Sequence, residues 1–206
     1  MKEIYTIGYS GFKIDDFIKT IKQYNINCVV DARSNPNSKF YVEYNQIGFA
    51  EVLKKHHIYY RNYKTEFGAR QIDLQYYNNG CLDFELYVKS DSFTDGVNKI
   101  EAGIQLGYRF VIMCAEKDPS TCHRSIMVGK YLYEKGYEVK NILSDGTYET
   151  QASLEKRLVD CYFPNRHQLT LFNEEMPWDE LVRRSYHLRN CEIGYKESDL
   201  IEAYAK

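Results

Sequence analysis

Cys114, Glu116, Cys122, His123 and Arg124 put two thiols, a carboxylate, an imidazole and a guanidinium within eleven residues. Three kinds of chemistry suit that set. In the first, Arg124 joins Arg33 and Arg70 in holding an anion or nucleotide, with Asp31, Glu116 or His123 as general acid or base. In the second, Cys114, Cys122 and His123 ligate zinc. Seven residues separate the two cysteines, which is not a finger or ribbon spacing, and adjacent side chains on a helix diverge, so no metal is expected. In the third, Cys122 is a reactive thiol at a helix start beside His123 and Arg124, which would lower its pKa. Cys114 lies ten positions before Arg124, so the short Cys-to-Arg phosphate-cradling loop is absent. The competing structural readings are a buried ion network of Asp31, Arg33, Glu116 and Arg124 that only holds loops, and two small residues packed under a loop.

These groups need a scaffold. Phe110-Val-Ile-Met113 reads as a buried strand, residues 114–121 as a polar loop, and Cys122 onward as a helix ending near Gly136. A strand, a loop and a helix N-terminus form the layout that collects ligands outside strand carboxyl ends. Further strands are expected at residues 4–7, 28–30, 58–60 and 139–143, with helices at 14–21, 44–57 and 83–106, the last broken near 90–93. Residues 66–70 would fold over the strand ends, and the Tyr-rich stretch 71–80 reads as an irregular excursion or lid. The early strand–helix–strand order predicts a mostly parallel sheet in a Rossmann-like, three-layer α/β domain over residues 1–147. Residues 148–206 then form a helical extension and tail, with helices at 150–162 (Leu154, Leu158 and Cys161 on one stripe) and about 178–187. This last part buries little by itself, and so either packs on the core or stays mobile.

The motifs after those strands resemble one known family. Thr6-Ile-Gly-Tyr-Ser10, Val30-Asp-Ala-Arg-Ser34 with Pro36, Ser38 and Lys39, Gly68 with Arg70, and Cys114-Ala-Glu116 with Cys122-His-Arg124 are similar to the prokaryotic domain of unknown function 488 family, over about residues 4 to 143. Lys39 stands where that pattern has Arg, and Ala69 replaces a second Gly, so an anion clamp in those loops would rely on a point charge. The resemblance implies an α/β fold and carries no agreed activity. Each motif falls at a strand's carboxyl end, so Ser10, Asp31, Arg33, Glu66, Arg70, Cys114, Glu116, Cys122, His123 and Arg124 are expected to converge on one crevice.

A second resemblance lies outside the core. Gln168-Leu169-Thr170-Leu171-Phe172 is similar to the bacterial sliding-clamp-binding pentapeptide, in which Gln168 would satisfy rim groups and Leu171 and Phe172 would fill an apolar pocket. The structural alternative is a short strand with Leu169 and Leu171 packed inward. With a formal charge of −2 the chain is not built to coat nucleic acid, and clamp tethering would supply effective concentration instead. The leading expectation is therefore a DNA-associated enzyme acting on nucleic acid or nucleotides. The alternatives are a free-standing enzyme or sensor for a small phosphorylated or nucleoside ligand, and a non-catalytic interaction module. No run nears the ~20 apolar residues of a membrane span, and six scattered cysteines form no disulfide framework, so a cytoplasmic protein with reduced thiols is expected.

Overall fold

The computed structural model describes residues 2–166 and 176–204, with side chains through residue 200. The stretch 168–172 lies outside the described residues. In chain order the strands are β1 (Glu3–Gly8), β2 (Cys28–Asp31), β3 (Tyr59–Asn62), β4 (Tyr77–Asn78), β5 (Cys81–Leu82), β6 (Phe110–Cys114), β7 (Glu138–Ile142) and β8 (Tyr148–Thr150). The α-helices are α1 (Ile14–Gln23), α2 (Gln46–Lys55), α3 (Lys64–Phe67), α4 (Phe84–Tyr87), α5 (Asp91–Gln105), α6 (Lys130–Glu134), α7 (Gln151–Tyr162), α8 (Trp178–Ile193) and α9 (Glu197–Tyr204).

Six strands form one sheet in the order β3-β2-β6-β1-β7-β8. The first five are parallel, and β8 returns antiparallel to β7 through the turn that Gly146 closes at φ +85. The architecture is the expected Rossmann-like α/β layering. Strand residues alternate between two apolar clusters, one on each face. Ile4, Val30, Ile112 and Val139 pack beneath α5, α6 and α7, while Tyr5, Ile7, Val29, Val111 and Met113 pack beneath α1 and α2. A sheet covered on both faces explains why β2 and β6 are fully buried apolar runs ending in a polar residue.

From β1 the chain crosses to β2 on one side of the sheet, and from the adjacent β6 it crosses to β7 on the other. Adjacent strands with oppositely directed connections create a crevice at their carboxyl ends. The loops after β1, β2 and β6 all open there.

Several expectations shift in detail. The 71–80 excursion ends in β4, the first strand of the small hairpin β4–β5, whose Cys81 bridges to Lys196. The break near 90–93 is real: Ser90 caps α5, its hydroxyl accepting from the Phe93 N–H at 3.1 Å. Helix α8 runs to Ile193 rather than stopping near 187, and it packs on the body of the fold. Leu181 and Tyr186 are buried, and the Asn190 amide both accepts from Phe84 N–H and donates to the Leu82 carbonyl. On α7, Leu154 and Leu158 face inward, but Cys161 is exposed and Val159 takes the buried place.

The central helix departs most from expectation. It opens at Cys122 as expected, the Cys122 carbonyl accepting from the Ile126 N–H at 3.0 Å, but Cys122 is the extended cap rather than the first helical residue and the first turn is not α. Pro119–Thr121 forms a 3₁₀ turn, Cys122 is extended (φ −133, ψ 134), and Arg124–Gly129 forms a π-turn before α6 begins. The Lys130 N–H reaches the Ser125 carbonyl five residues back. A buried polar network props this wide turn open. The Asn141 amide oxygen accepts from both Thr6 and Ser125 hydroxyls at 2.8 Å, and its NH2 donates to Gln151. The Gln151 NH2 in turn reaches the Ser125 carbonyl and the Tyr186 hydroxyl.

Candidate functional site

Tyr9, Arg33, Ser34, Arg70, Cys114, Glu116 and His123, with Tyr195 from the α8–α9 connection, are among the residues lining a cavity of about 300 Å³ at the switch point. Its shape depends on Gly8. A Cβ there would overlap the Glu116 carbonyl and come within 3.1 Å of Arg124 Nη1, so the loop after β6 crosses β1 only because Gly8 has no side chain. The Ser10 N–H then donates to the Ala115 carbonyl at 3.1 Å and ties the two loops together.

Arg33 and Asp31 form a fully buried pair at the end of β2. Asp31 Oδ1 accepts from Arg33 Nε at 2.9 Å and Oδ2 from Nη2 at 2.6 Å, while the Tyr60 hydroxyl donates to Oδ2 at 2.6 Å. Burial works to lower the Arg33 pKa, but the Asp31 carboxylate outweighs it and holds the guanidinium above its ordinary value. Nη2 also donates to the Tyr44 carbonyl, the guanidinium lies 5.0 Å from the Tyr9 ring centre, and Nη1 has no hydrogen-bond partner among the described residues. Asp31 has both oxygens engaged and no exposure, so its geometry is that of a group that positions Arg33.

Arg124 has no exposure either. Its Nη1 donates to the Glu116 carbonyl at 2.5 Å and its Nη2 to Lys117, so it braces the loop from beneath and does not line the cavity. Glu66 is likewise outside it, ion-paired with Lys99 at 2.6 Å. Arg70 does reach the cavity, exposed, with its guanidinium 5.2 Å from the Tyr195 ring centre. Its backbone N–H donates to Ser34 Oγ, which lies close under Gly68. The ion network considered from sequence, Asp31 and Arg33 with Glu116 and Arg124, is thus split into a carboxylate–guanidinium pair and a guanidinium–carbonyl brace.

Beside the arginines sits the thiol cluster. Donor atoms of Cys114, Glu116, Cys122 and His123 all lie within 4.8 Å of one another. Because Cys122 precedes the helix in extended backbone, its side chain and that of His123 converge: Cys122 Sγ is 3.9 Å from His123 Nδ1. The expected divergence of these neighbours does not hold. Cys114 Sγ is also 3.9 Å from Nδ1, and Glu116 Oε2 is 2.8 Å from Cys122 Sγ. His123 Nε2 lies 3.0 Å from the Ala32 carbonyl, which can only accept, so Nε2 carries a proton; Nδ1 faces Cys122, while Cys114 Sγ sits beside the ring, 3.9 Å from Nδ1 and 4.0 Å from Nε2.

Burial alone would raise the Cys122 thiol, but the Cys114 hydrogen bond and the Arg124 and His123 charges pull it well below its ordinary value. Cys114 moves the opposite way, raised by its bond to Cys122 and by burial. Packing and the Cys122 charge raise Glu116. For His123, burial is outweighed by Cys122, and its pKa rises.

Sequence reasoning missed Tyr9 and Tyr195. Tyr9 stacks on Tyr44 at 4.4 Å between ring centres and supports Arg33, and its place beside Gly8 in the first loop was the available signal. Tyr195 is more than 70 positions from the nearest thiol of the cluster, and only the docking of α8 brings it in.

The family model described as "Domain of unknown function DUF488" matches residues 13–131, more than half of the chain. The chain belongs to that family. The matched stretch runs from just before α1 to the first residues of α6, and includes Asp31, Arg33, Arg70 and the thiol cluster. No curated protein and no solved structure matches the chain. No helix among the described residues is long and apolar enough to cross a membrane.

Proposed function

We propose that this DUF488-family chain is an enzyme that binds a small anionic ligand of the nucleotide class between Arg33 and Arg70 and acts on it at the Cys114–Glu116–Cys122–His123 cluster. The carrying observation is Arg33, buried, lining the cavity, charged by its pair with Asp31, and with one guanidinium nitrogen that has no partner among the described residues. A buried donor without a partner costs about 1–3 kcal/mol, a cost that an anionic ligand would relieve. Tyr9 and Tyr195 offer ring faces beside the two guanidinium groups, and a cavity of about 300 Å³ suits one small molecule better than a duplex. Glu116 and His123 are the acid–base candidates because they line the cavity, which Asp31 does not.

The residues Gln168, Leu169, Leu171 and Phe172 place this enzyme, in our reading, on the bacterial sliding clamp, and hence among nucleotides and strands at replication or repair sites. All six cysteines are free, in keeping with a reducing cytoplasm. The alternative is the same enzyme or a sensor working on a free nucleotide or nucleoside without the clamp.

Titration calorimetry with nucleoside mono- and triphosphates tests the ligand reading, with Arg70→Ala as the variant because Arg70 is exposed and its loss leaves the core intact. About tenfold weaker binding in the variant, with affinity falling as salt rises, is expected. Equal affinity in both proteins overturns the site. Binding of the intact chain to a sliding clamp, lost when Gln168, Leu171 and Phe172 are changed to Ala, tests recruitment; no binding by the intact chain removes it.

A further inference from the structure

We infer that Cys114, Cys122 and His123 form a zinc site with three protein ligands, Sγ, Sγ and Nδ1, whose fourth position opens into the cavity beside Glu116. Zinc with bonds of about 2.3 Å to sulfur and about 2.0–2.1 Å to nitrogen sets tetrahedral sulfur–nitrogen edges of about 3.6 Å. Cys122 Sγ stands 3.9 Å from His123 Nδ1, within a few tenths of an ångström of that edge, while Cys114 Sγ, 3.9 Å from Nδ1 and 4.0 Å from Nε2, lies beside the ring and must swing toward the Nδ1 side for the three donors to share a metal. The imidazole is already arranged as a ligand: its Nε2–H is spent on the Ala32 carbonyl at 3.0 Å, the outer hydrogen bond that fixes a metal-binding histidine's tautomer and ring plane. The donors come from three backbone contexts that the fold holds rigidly. Cys114 ends a fully buried central strand, Cys122 is extended after a 3₁₀ turn, and His123 begins the propped π-turn.

Glu116 is not the fourth ligand. Its Oε2 lies 2.8 Å from Cys122 Sγ, too close for both to sit on one zinc, and its residue is exposed and lines the cavity. That is the placement of an acid–base group facing a bound water or ligand rather than of a structural ligand. Three protein ligands with an open position are the pattern of catalytic rather than structural zinc. The site goes beyond the nucleotide reading and stands without it, since zinc would be held whether or not the arginines grip an anion.

The test is metal analysis of the full chain purified without chelator, then replacement of the metal by cobalt. About one zinc per chain is expected, together with a thiolate-to-cobalt charge-transfer band in the near ultraviolet and tetrahedral visible bands. Cys114→Ser and Cys122→Ser should each weaken the charge-transfer band by about half, with circular dichroism confirming that the variants remain folded. Glu116→Gln should keep full metal content. A folded wild-type chain that takes up neither zinc nor cobalt overturns the proposal, as does unchanged cobalt absorption in a Cys114→Ser, Cys122→Ser double variant. Metal loss in Glu116→Gln overturns the open fourth position. Nucleotide titration of the metal-free chain separates this result from the ligand reading.

Discussion

Replacing Asp31 with Asn and Arg33 with Met, singly and together, probes the buried pair that presents the cavity's cation. In Asp31→Asn the guanidinium keeps its shape-matched neighbour but loses its counter-charge in a buried site. Breaking a buried pair on one side costs about 3–5 kcal/mol. The Tyr60 hydroxyl, which donates to Oδ2 at 2.6 Å, would face an amide, adding up to about 1 kcal/mol if the NH2 turns toward it. We therefore expect a loss of about 4 kcal/mol. Arg33→Met strands the carboxylate, but Tyr60 still bonds it and Met fills the stem's volume, so about 3 kcal/mol is expected. With both charges gone nothing buried is unbalanced, and the double variant should lose about 3 kcal/mol rather than the sum of about 7. Urea unfolding followed by circular dichroism reads all four proteins at constant slope. Additivity within about 0.5 kcal/mol would refute the reasoning, because it would mean that Asp31 and Arg33 do not depend on each other.

Other outcomes rest on the same geometry. Gly8→Ala should cost more than about 2 kcal/mol and abolish metal uptake and nucleotide binding together, since the added carbon meets the Glu116 backbone; a stable variant with normal uptake counts against that contact. Gln151→Leu strands the Asn141 NH2 and should lower stability by about 3 kcal/mol in urea unfolding. Glu3 on β1 pairs with Lys140 on β7 and with Arg109 just before β6, and the Lys140 hydrogen bond, more than burial opposes it, holds its pKa at about 2 against 4.5. A carboxylate depressed by folding adds stability that is complete above pH 4.5 and lost as pH falls toward 2. Because Glu3 is partly exposed, we expect about 1 kcal/mol, and Lys140→Met should flatten the acid limb of a stability–pH curve by that amount.

What could be read without coordinates was whatever local periodicity records. The apolar runs of β2 and β6 and the stripe of Ile14, Phe17, Ile18 and Ile21 state their burial directly, and turn residues after the strands place Arg33 and Arg70 near the crevice. The two short hairpin strands and β8 were invisible because two or three residues carry no period. The extended backbone at Cys122 escaped notice for another reason. Nothing in the residues 122–129 distinguishes an α-turn from a π-turn, and the choice is made by the distant Asn141 and Gln151. With it went the convergence of Cys122 and His123, on which the metal question turns. Arg124 was read as a ligand contact from its company, yet its burial beneath two carbonyls depends on Gly8, more than 100 residues earlier.

The π-turn at Arg124–Gly129 also sets the rotational phase of α6. It holds one residue more than an α-turn would, and each helical residue advances the axis by about 100°. Removing a single residue between Ser125 and Gly129 would let the segment relax to α and rotate α6 by that angle. Leu132, fully buried, would swing toward solvent while the ligand end stayed in place. A one-residue gap at this point between two relatives is therefore a change of helix phase rather than of loop length, and it would separate chains whose thiol clusters look alike but whose cores are packed differently.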